Sequence, residues 1–331
     1  MRIDVHSHLV YLPYLEYLTG RSSLPQGVLR GGTYFVSCNG GYLHTSPSAH
    51  ADVDQKLRAM EDLGIGISVL SHGMPGPELL SGPEADAWAS RINDHLAEVM
   101  QAHPGKFEAW ATLGWHSIDG TIAEIDRCVN QLGFKGVYLF SNINQKTVDI
   151  KEFWPVYGHI ERLGAPINMH PTAPINMNGT DHRPLVPGMA FMFDTALATV
   201  RMVMSGVFQE YPDLKLIVPH TGGFVPYIRG RVGRLIDEWT SPEGWVDLEQ
   251  SSQSYFDKLY VDTVAHSPAA LEYCYKMFGA ERLLYGTDHP FGPPNIEIYN
   301  EMVDGLDCPE SDRELINYGN AQRLLGLDKT V

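Results

Sequence analysis

The feature that most constrains this chain is a rhythm. From about residue 53 onward, apolar residues at helical spacing give way repeatedly to short, dense apolar runs, and the exchange persists along nearly all of the 331 residues. Val53, Leu57, Met60 and Leu63 fall on one helical face, Gly64 supplies a stop, and Ile65, Ile67, Val69 and Leu70 read as a buried strand. The same exchange follows over 83–103 and 107–113, 122–132 and 136–140, 153–163 and 166–170, and 195–208 and 214–220. An irregular stretch over 237–257 then precedes a strand at 259–263, a helix at 268–278, a strand at 283–287 and a last helix around 312–325. A short strand over 2–6 opens the chain, and the residues from there to about 51 show no sustained period, so a long inserted loop is expected after the first strand.

Strands near residues 3, 67, 110, 138, 167, 217, 261 and 285, each feeding a helix, predict a somewhat distorted (β/α)8 TIM-type barrel built as a single domain over 1–331. A doubly wound sheet with an added domain shares this periodicity. No GxGxxG or GxxxxGK[ST] phosphate loop supports it, and the Gly-Gly pairs at 31–32, 40–41 and 222–223 read as turns.

Composition narrows the partners. Lys and Arg number 24 against 40 Asp and Glu, a formal charge of −16 that repels phosphate backbones and anionic lipid, so neither nucleic acid nor a membrane is expected as a partner. Cys38, Cys128, Cys274 and Cys308 show no paired spacing, which points away from a disulfide framework or cysteine zinc site and towards a reducing compartment. With no leader-like start and no apolar run of the ~18 residues a spanning helix needs, a soluble, cytoplasmic protein is expected.

Candidate chemistry gathers at strand ends. His6 and His8 stand two apart at the end of the first strand and share a face; His170 closes the fifth strand, His220 the sixth and Asp288 the eighth. These are C-terminal ends, the rim on which barrel enzymes build their sites. Unpaired polar groups at the exits of apolar strands are costly, and a metal removes that cost. Three imidazoles and one carboxylate suit a divalent ion of borderline softness, zinc first, with manganese and iron(II) as rivals. Asp288 could instead cap the next segment, and His220 reads as either a further ligand or an acid/base, the latter being favoured. His72 and His116 each follow a strand and are candidate pocket liners. Tyr34, Phe35, Tyr42, His44 and His50 either line an aromatic pocket or simply pack.

The segments 4–8 (DVHSH), 169–171 (MHP), 219–223 (PHTGG) and 286–291 (GTDHPF) resemble, in order, the motifs of the metal-dependent decarboxylase branch of the amidohydrolase superfamily, the group typified by 2-amino-3-carboxymuconate-6-semialdehyde decarboxylase. Segments 54–64, 206–215 and 319–327 resemble that branch as well. The resemblance implies that His6, His8, His170 and Asp288 hold one metal ion, with His220 as the nearby catalytic histidine. No lysine matches a carbamylated bridge, Lys135 lying at the start of its strand, so a mononuclear site is implied. Arg231 matches an arginine that completes a neighbouring subunit's substrate pocket, which implies a homodimer; a solvated helix arginine is the plainer reading. Two departures bear on the substrate. Thr33 to Asp54 contains no Arg or Lys where carboxymuconate-semialdehyde enzymes carry a carboxylate-binding arginine, and His289 stands where Tyr is frequent.

Two reactions suit such a site. In decarboxylation of a small aromatic or unsaturated keto or hydroxy acid, substrate oxygens chelate the metal while Asp288 or His220 protonates the carbon that loses CO2. In hydrolysis of a lactone, amide or ester, the same residues activate a water. The resemblance favours decarboxylation.

Overall fold

The structure, a computed structural model, describes residues 1–180, 182, 184–239, 247–293 and 295–327. Its framework is an eight-stranded parallel sheet in sequential order. The strands are β1 (Arg2–His8), β2 (Ile65–Ser71), β3 (Phe107–Ala111), β4 (Gly136–Phe140), β5 (Pro166–His170), β6 (Lys215–Val218), β7 (Tyr260–Asp262) and β8 (Leu283–Leu284). The amide of Val5 donates to the carbonyl of Tyr285 at 3.0 Å and that of Asp288 to the carbonyl of His6 at 2.8 Å, so the last strand meets the first and the ring closes. The eight predicted strands and the barrel are therefore both present.

Local chemistry explains the repeating unit. The Asp52 carboxylate caps the helix Val53–Leu63 by accepting from the amide of Gln55 at 2.9 Å. Gly64, at φ 64°, ends that helix in the left-handed region, and Gly164, at φ 65°, does the same for the helix Trp154–Leu163. Each turn drops the chain directly into a barrel strand, β2 and β5 respectively. Ile3, Val5, Ile67, Val69, Trp110, Tyr138 and Ile217 pack together as one buried cluster, tied across by the indole of Trp110 and the amide of Asn168, which both donate to the carbonyl of Val5 at 3.0 Å.

The stretch after β1 departs from expectation. In place of a structureless loop it holds the helix Leu12–Thr19 and a three-stranded antiparallel meander, Gln26–Arg30, Thr33–Ser37 and Leu43–Pro47. β1 itself runs on to His8, and its register slips between Asp4 and Ser7. A bulge of this kind lets Asp4 and Ser7, three apart, both face Lys56, while His6 and His8 turn to the opposite side. After β6 the chain makes a tight turn in which His220 and Thr221 both have positive φ, 53° and 55°, and the long helix begins only at Val225 (Val225–Glu238). The irregular stretch over 237–257 contains the short helix Ser252–Phe256, and residues 240–246 of it lie outside the described residues. One helical run, Val186–Met204, is long and apolar enough to cross a membrane by length and composition, and 56% of it is buried against the barrel.

Candidate metal centre and substrate cavity

Four side chains from three places in the sequence converge at the C-terminal mouth of the barrel. One ligand atom from each of His6, His8, His170 and Asp288 lies within 4.8 Å of the others, and all but Asp288 are buried. Asp288 Oδ1 stands 3.2 Å from His6 Nε2, 2.9 Å from His8 Nε2 and 3.9 Å from His170 Nε2. Its other oxygen, Oδ2, is 3.6 Å from His220 Nε2. Asp288 reaches this position from a turn in which its own φ is +56°, a conformation uncommon for a residue with a side chain.

The outer nitrogen of every imidazole in the set is engaged. His6 Nδ1–H donates to Asp262 Oδ2 at 2.5 Å, and His170 Nδ1–H donates to the carbonyl of Pro171 at 2.7 Å. Because the Ser71 hydroxyl donates to the carbonyl of Ser7 at 3.3 Å, its oxygen accepts from His8 Nδ1–H at 2.7 Å. These bonds fix each ring's tautomer and aim a bare Nε2 inward, the arrangement metal-ligating histidines require. Among the described residues, His6 Nε2 and His170 Nε2 have no hydrogen-bond partner, though both are buried. Buried acceptors without partners are costly, and a cation at the centre would satisfy them together.

Charge points the same way. Burial opposes protonation of His6, but Asp288 and Asp262 outweigh it and raise the imidazole to about 10. Burial would likewise raise Asp288, yet the charge on His6 and the nearby imidazoles of His170 and His220 hold it well below the usual carboxylate range. His170, desolvated, falls to about 4, and His8 also lies well below the usual imidazole range. Two carboxylates thus face a pocket in which a proton on His6 balances part of their charge. A divalent ion would take over that balance and release the proton. The donor set therefore fits one divalent metal ion.

The site opens on a cavity of about 730 Å³, reached by His170, His220 and Asp288. Tyr42 and His44 of the meander form one wall, Phe191 and Met192 another, and Phe291 lies beside both the metal set and the meander, its ring centroid 5.3 Å from that of His8 and 5.8 Å from that of His44.

Several expected residues fall elsewhere. His72 is buried beside Tyr11 and Tyr14 and His116 is exposed, so neither lines the cavity. Tyr34 is core, whereas His50 packs edge-on against Phe291, 4.7 Å between centroids. Arg231 is exposed on the helix Val225–Glu238 and does not reach the cavity of its own chain. The sequence reading overlooked Asp262, Ser71 and Lys56. Asp262 carried the same signal as His170, a polar residue ending an apolar strand. Lys56 gave none: it sits on a helix face as an ordinary charged residue would, yet it is buried, and Nζ donates at 2.7 Å to Ser7 Oγ, His289 Nδ1 and the His289 carbonyl.

A barrel with a histidine-rich site at this rim whose donors fit a divalent metal ion defines the class, and comparison with known proteins places the chain within it. The model of the Amidohydrolase family matches residues 3–327, so the chain belongs to that family. Among its relatives, gamma-resorcylate decarboxylase of Polaromonas sp. is 30% identical over 294 residues, covering 83% of this chain and 88% of that one. The 2-amino-3-carboxymuconate-6-semialdehyde decarboxylase of Dictyostelium discoideum is 31% identical over 245 residues, 72% of this chain and 67% of its own. The fold matches the crystal structure of a dihydroxybenzoic acid decarboxylase from Polaromonas sp., with bound manganese and 2-nitroresorcinol, at a TM-score of 0.81 and 24% identity, over 99% of this chain and 98% of that one.

Proposed function

We infer that the chain is a metal-dependent decarboxylase acting on a small aromatic acid with a hydroxyl beside its carboxylate. The observation that carries the reading is the convergence of His6, His8, His170 and Asp288 on one point, each imidazole held from behind, at the floor of an aromatic-walled cavity. That the named relatives are carboxy-lyases favours decarboxylation over hydrolysis.

His6, His8, His170 and Asp288 would hold the ion, which would supply Lewis acidity at the floor of the cavity. The chain's own residues do the rest. Phe291 and Phe191 shape the cavity around the ring and exclude water from the reacting face. When the bond to the carboxylate breaks, its electron pair stays on the ring carbon, CO2 departs, and a proton from the Asp288–His220 pair forms the new C–H bond. His220 carries a solvent-reachable edge, 11% of its side chain, through which the pair recovers its proton.

The donor set suits zinc, while manganese is the ion named in the Polaromonas structure, so these two are the metals to load first. Arg231 is assigned to a neighbouring subunit's cavity. It makes no ion pair among the described residues, unlike Arg229 and Arg234 on the same helix, and exposed Phe224 and Tyr227 precede it on an apolar surface suited to a second copy. Mixing Arg231→Ala chains with Asp288→Asn chains then restores part of the activity each lacks alone. A fully active monomer would refute both the homodimer and this role. The four cysteines are free, three of them buried, in keeping with a cytoplasmic setting.

The experiment is CO2 release by zinc- and manganese-loaded protein from ortho-hydroxybenzoates and unsaturated keto acids, run beside lactones and amides. Metal-dependent CO2 release is expected. Turnover of lactones or amides alone would transfer the assignment to hydrolysis.

A further inference from the structure

The meander wall holds a group that the metal centre does not use. His44 lies on the strand Leu43–Pro47, is 4% exposed and lines the cavity. Its Nδ1 stands 3.4 Å from the Tyr42 hydroxyl, the outer limit of a hydrogen bond, and its buried Nε2 has no hydrogen-bond partner among the described residues. Such a polar atom is left unpaired at a cost of about 1–3 kcal/mol unless something else binds it. The packing around it selects what that something is. Among the described residues, the ionisable neighbours acting on His44 are other imidazoles, those of His50, His72 and His170, and none is a carboxylate that could stabilise an imidazolium. Burial, followed by these neighbours, lowers His44 to about 3, so the ring stays neutral at any physiological pH. A neutral imidazole offers one donor and one acceptor, which match a hydroxyl and do not compensate a carboxylate. No lysine or arginine occurs between Thr33 and Asp54, and Arg30, on the first strand of the meander, is exposed and does not line the cavity.

We propose that His44 is the specificity-determining contact of the meander wall, hydrogen-bonding a hydroxyl on the substrate's ring and discriminating against a second carboxylate at that position. The proposal takes its aromatic ligand from the decarboxylase reading above and narrows it to polyhydroxylated benzoic acids. Phe291, packed against both His8 and His44, is the surface along which the ring spans from the metal set to this contact. A site that hydrogen-bonds a hydroxyl rejects analogues lacking it, because its own polar group is then left unpaired.

Nitrophenols test this, since the nitro group stands in for the carboxylate and releases no CO2. Calorimetry on metal-loaded protein compares 2-nitrophenol, dihydroxynitrobenzenes and nitrophenols carrying a ring carboxylate, with wild type, His44→Phe and His44→Gln. Wild type is expected to bind one hydroxylated probe at least 10-fold more tightly than 2-nitrophenol and to bind the carboxylated probes weakly. His44→Phe should abolish that preference while leaving 2-nitrophenol within about twofold and the metal content unchanged. His44→Gln, neutral and still able to donate and accept, should recover part of it. Equal weakening of all probes by His44→Phe, or a wild-type preference for the carboxylated probes, would overturn the proposal. Absence of CO2 release from every acid would overturn the decarboxylase reading, and the calorimetric preference would still decide whether His44 reads a hydroxyl.

Discussion

The floor and the meander wall of the cavity are built on opposite plans. On the floor, each imidazole of the metal set is held by a second group, Asp262, Ser71 or the Pro171 carbonyl, and these come from barrel strands or the residues just beyond them. On the wall, Tyr42 and His44 are carried by an antiparallel meander outside the barrel, and the His44 Nε2 has no hydrogen-bond partner. The difference separates two tasks. A metal centre needs donors fixed before anything binds, whereas a recognition wall needs polar groups still free to be satisfied by the ligand.

The largest expected effect lies on the floor. Asp288→Asn removes both a donor and the partner of His220, so turnover should fall by about 10³-fold or more, with bound metal lost in elemental analysis. Retention of metal with full turnover would erase the distinction between the two regions. Asp262→Asn leaves the inner set intact but loosens His6; metal affinity should drop roughly 10–100-fold in a chelator competition, with kcat at saturating metal less affected.

Stability offers a subtler test at Glu78, which is buried beside Thr172, two residues beyond His170. Its Oε1 accepts from the Thr172 hydroxyl at 2.8 Å, its Oε2 has no partner, and burial raises the carboxyl to about 8. An acid whose folded pKa is raised keeps its proton in the native state after the unfolded chain has lost it. Unfolding free energy should therefore decline as pH rises from about 4.5 towards 8, the window set by the two states. Glu78→Gln should flatten that decline in urea titrations, and an unchanged slope would show that the carboxyl is not held neutral. The smallest effect belongs to the wall. Phe291→Leu should raise KM several-fold with little change in kcat, because Phe291 lines the cavity without belonging to the set of residues that would hold the metal. A kcat loss equal to that of Asp262→Asn would place Phe291 with the floor.

The same contrast explains what could be read from sequence. Floor residues announce themselves because a histidine or aspartate at the end of an apolar strand breaks a pattern, as His170 does after Ile167 and Met169. The wall hides its pattern. Along Leu43–Pro47 the buried positions are polar, His44 and Ser46, while Leu43 is 44% exposed, which inverts the apolar-in alternation by which a strand is recognised. Lys56 was equally invisible, since only the bulge in β1 shows why an ammonium is needed behind Ser7. The turn at Gly222-Gly223 was legible, but the left-handed backbone of His220 and Thr221 just before it was hidden, because positive φ has no signature in residues that are not glycine.

The central claim, that four side chains hold one ion and that this ion is required for decarboxylation, has a direct test. Protein stripped with a chelator is titrated with Mn²⁺ or Zn²⁺ while CO2 release from an ortho-hydroxybenzoate substrate is followed. The account predicts no release from stripped protein and a rise that saturates at one metal ion per chain. Undiminished release before any metal is added, or saturation only at two ions per chain, would contradict it.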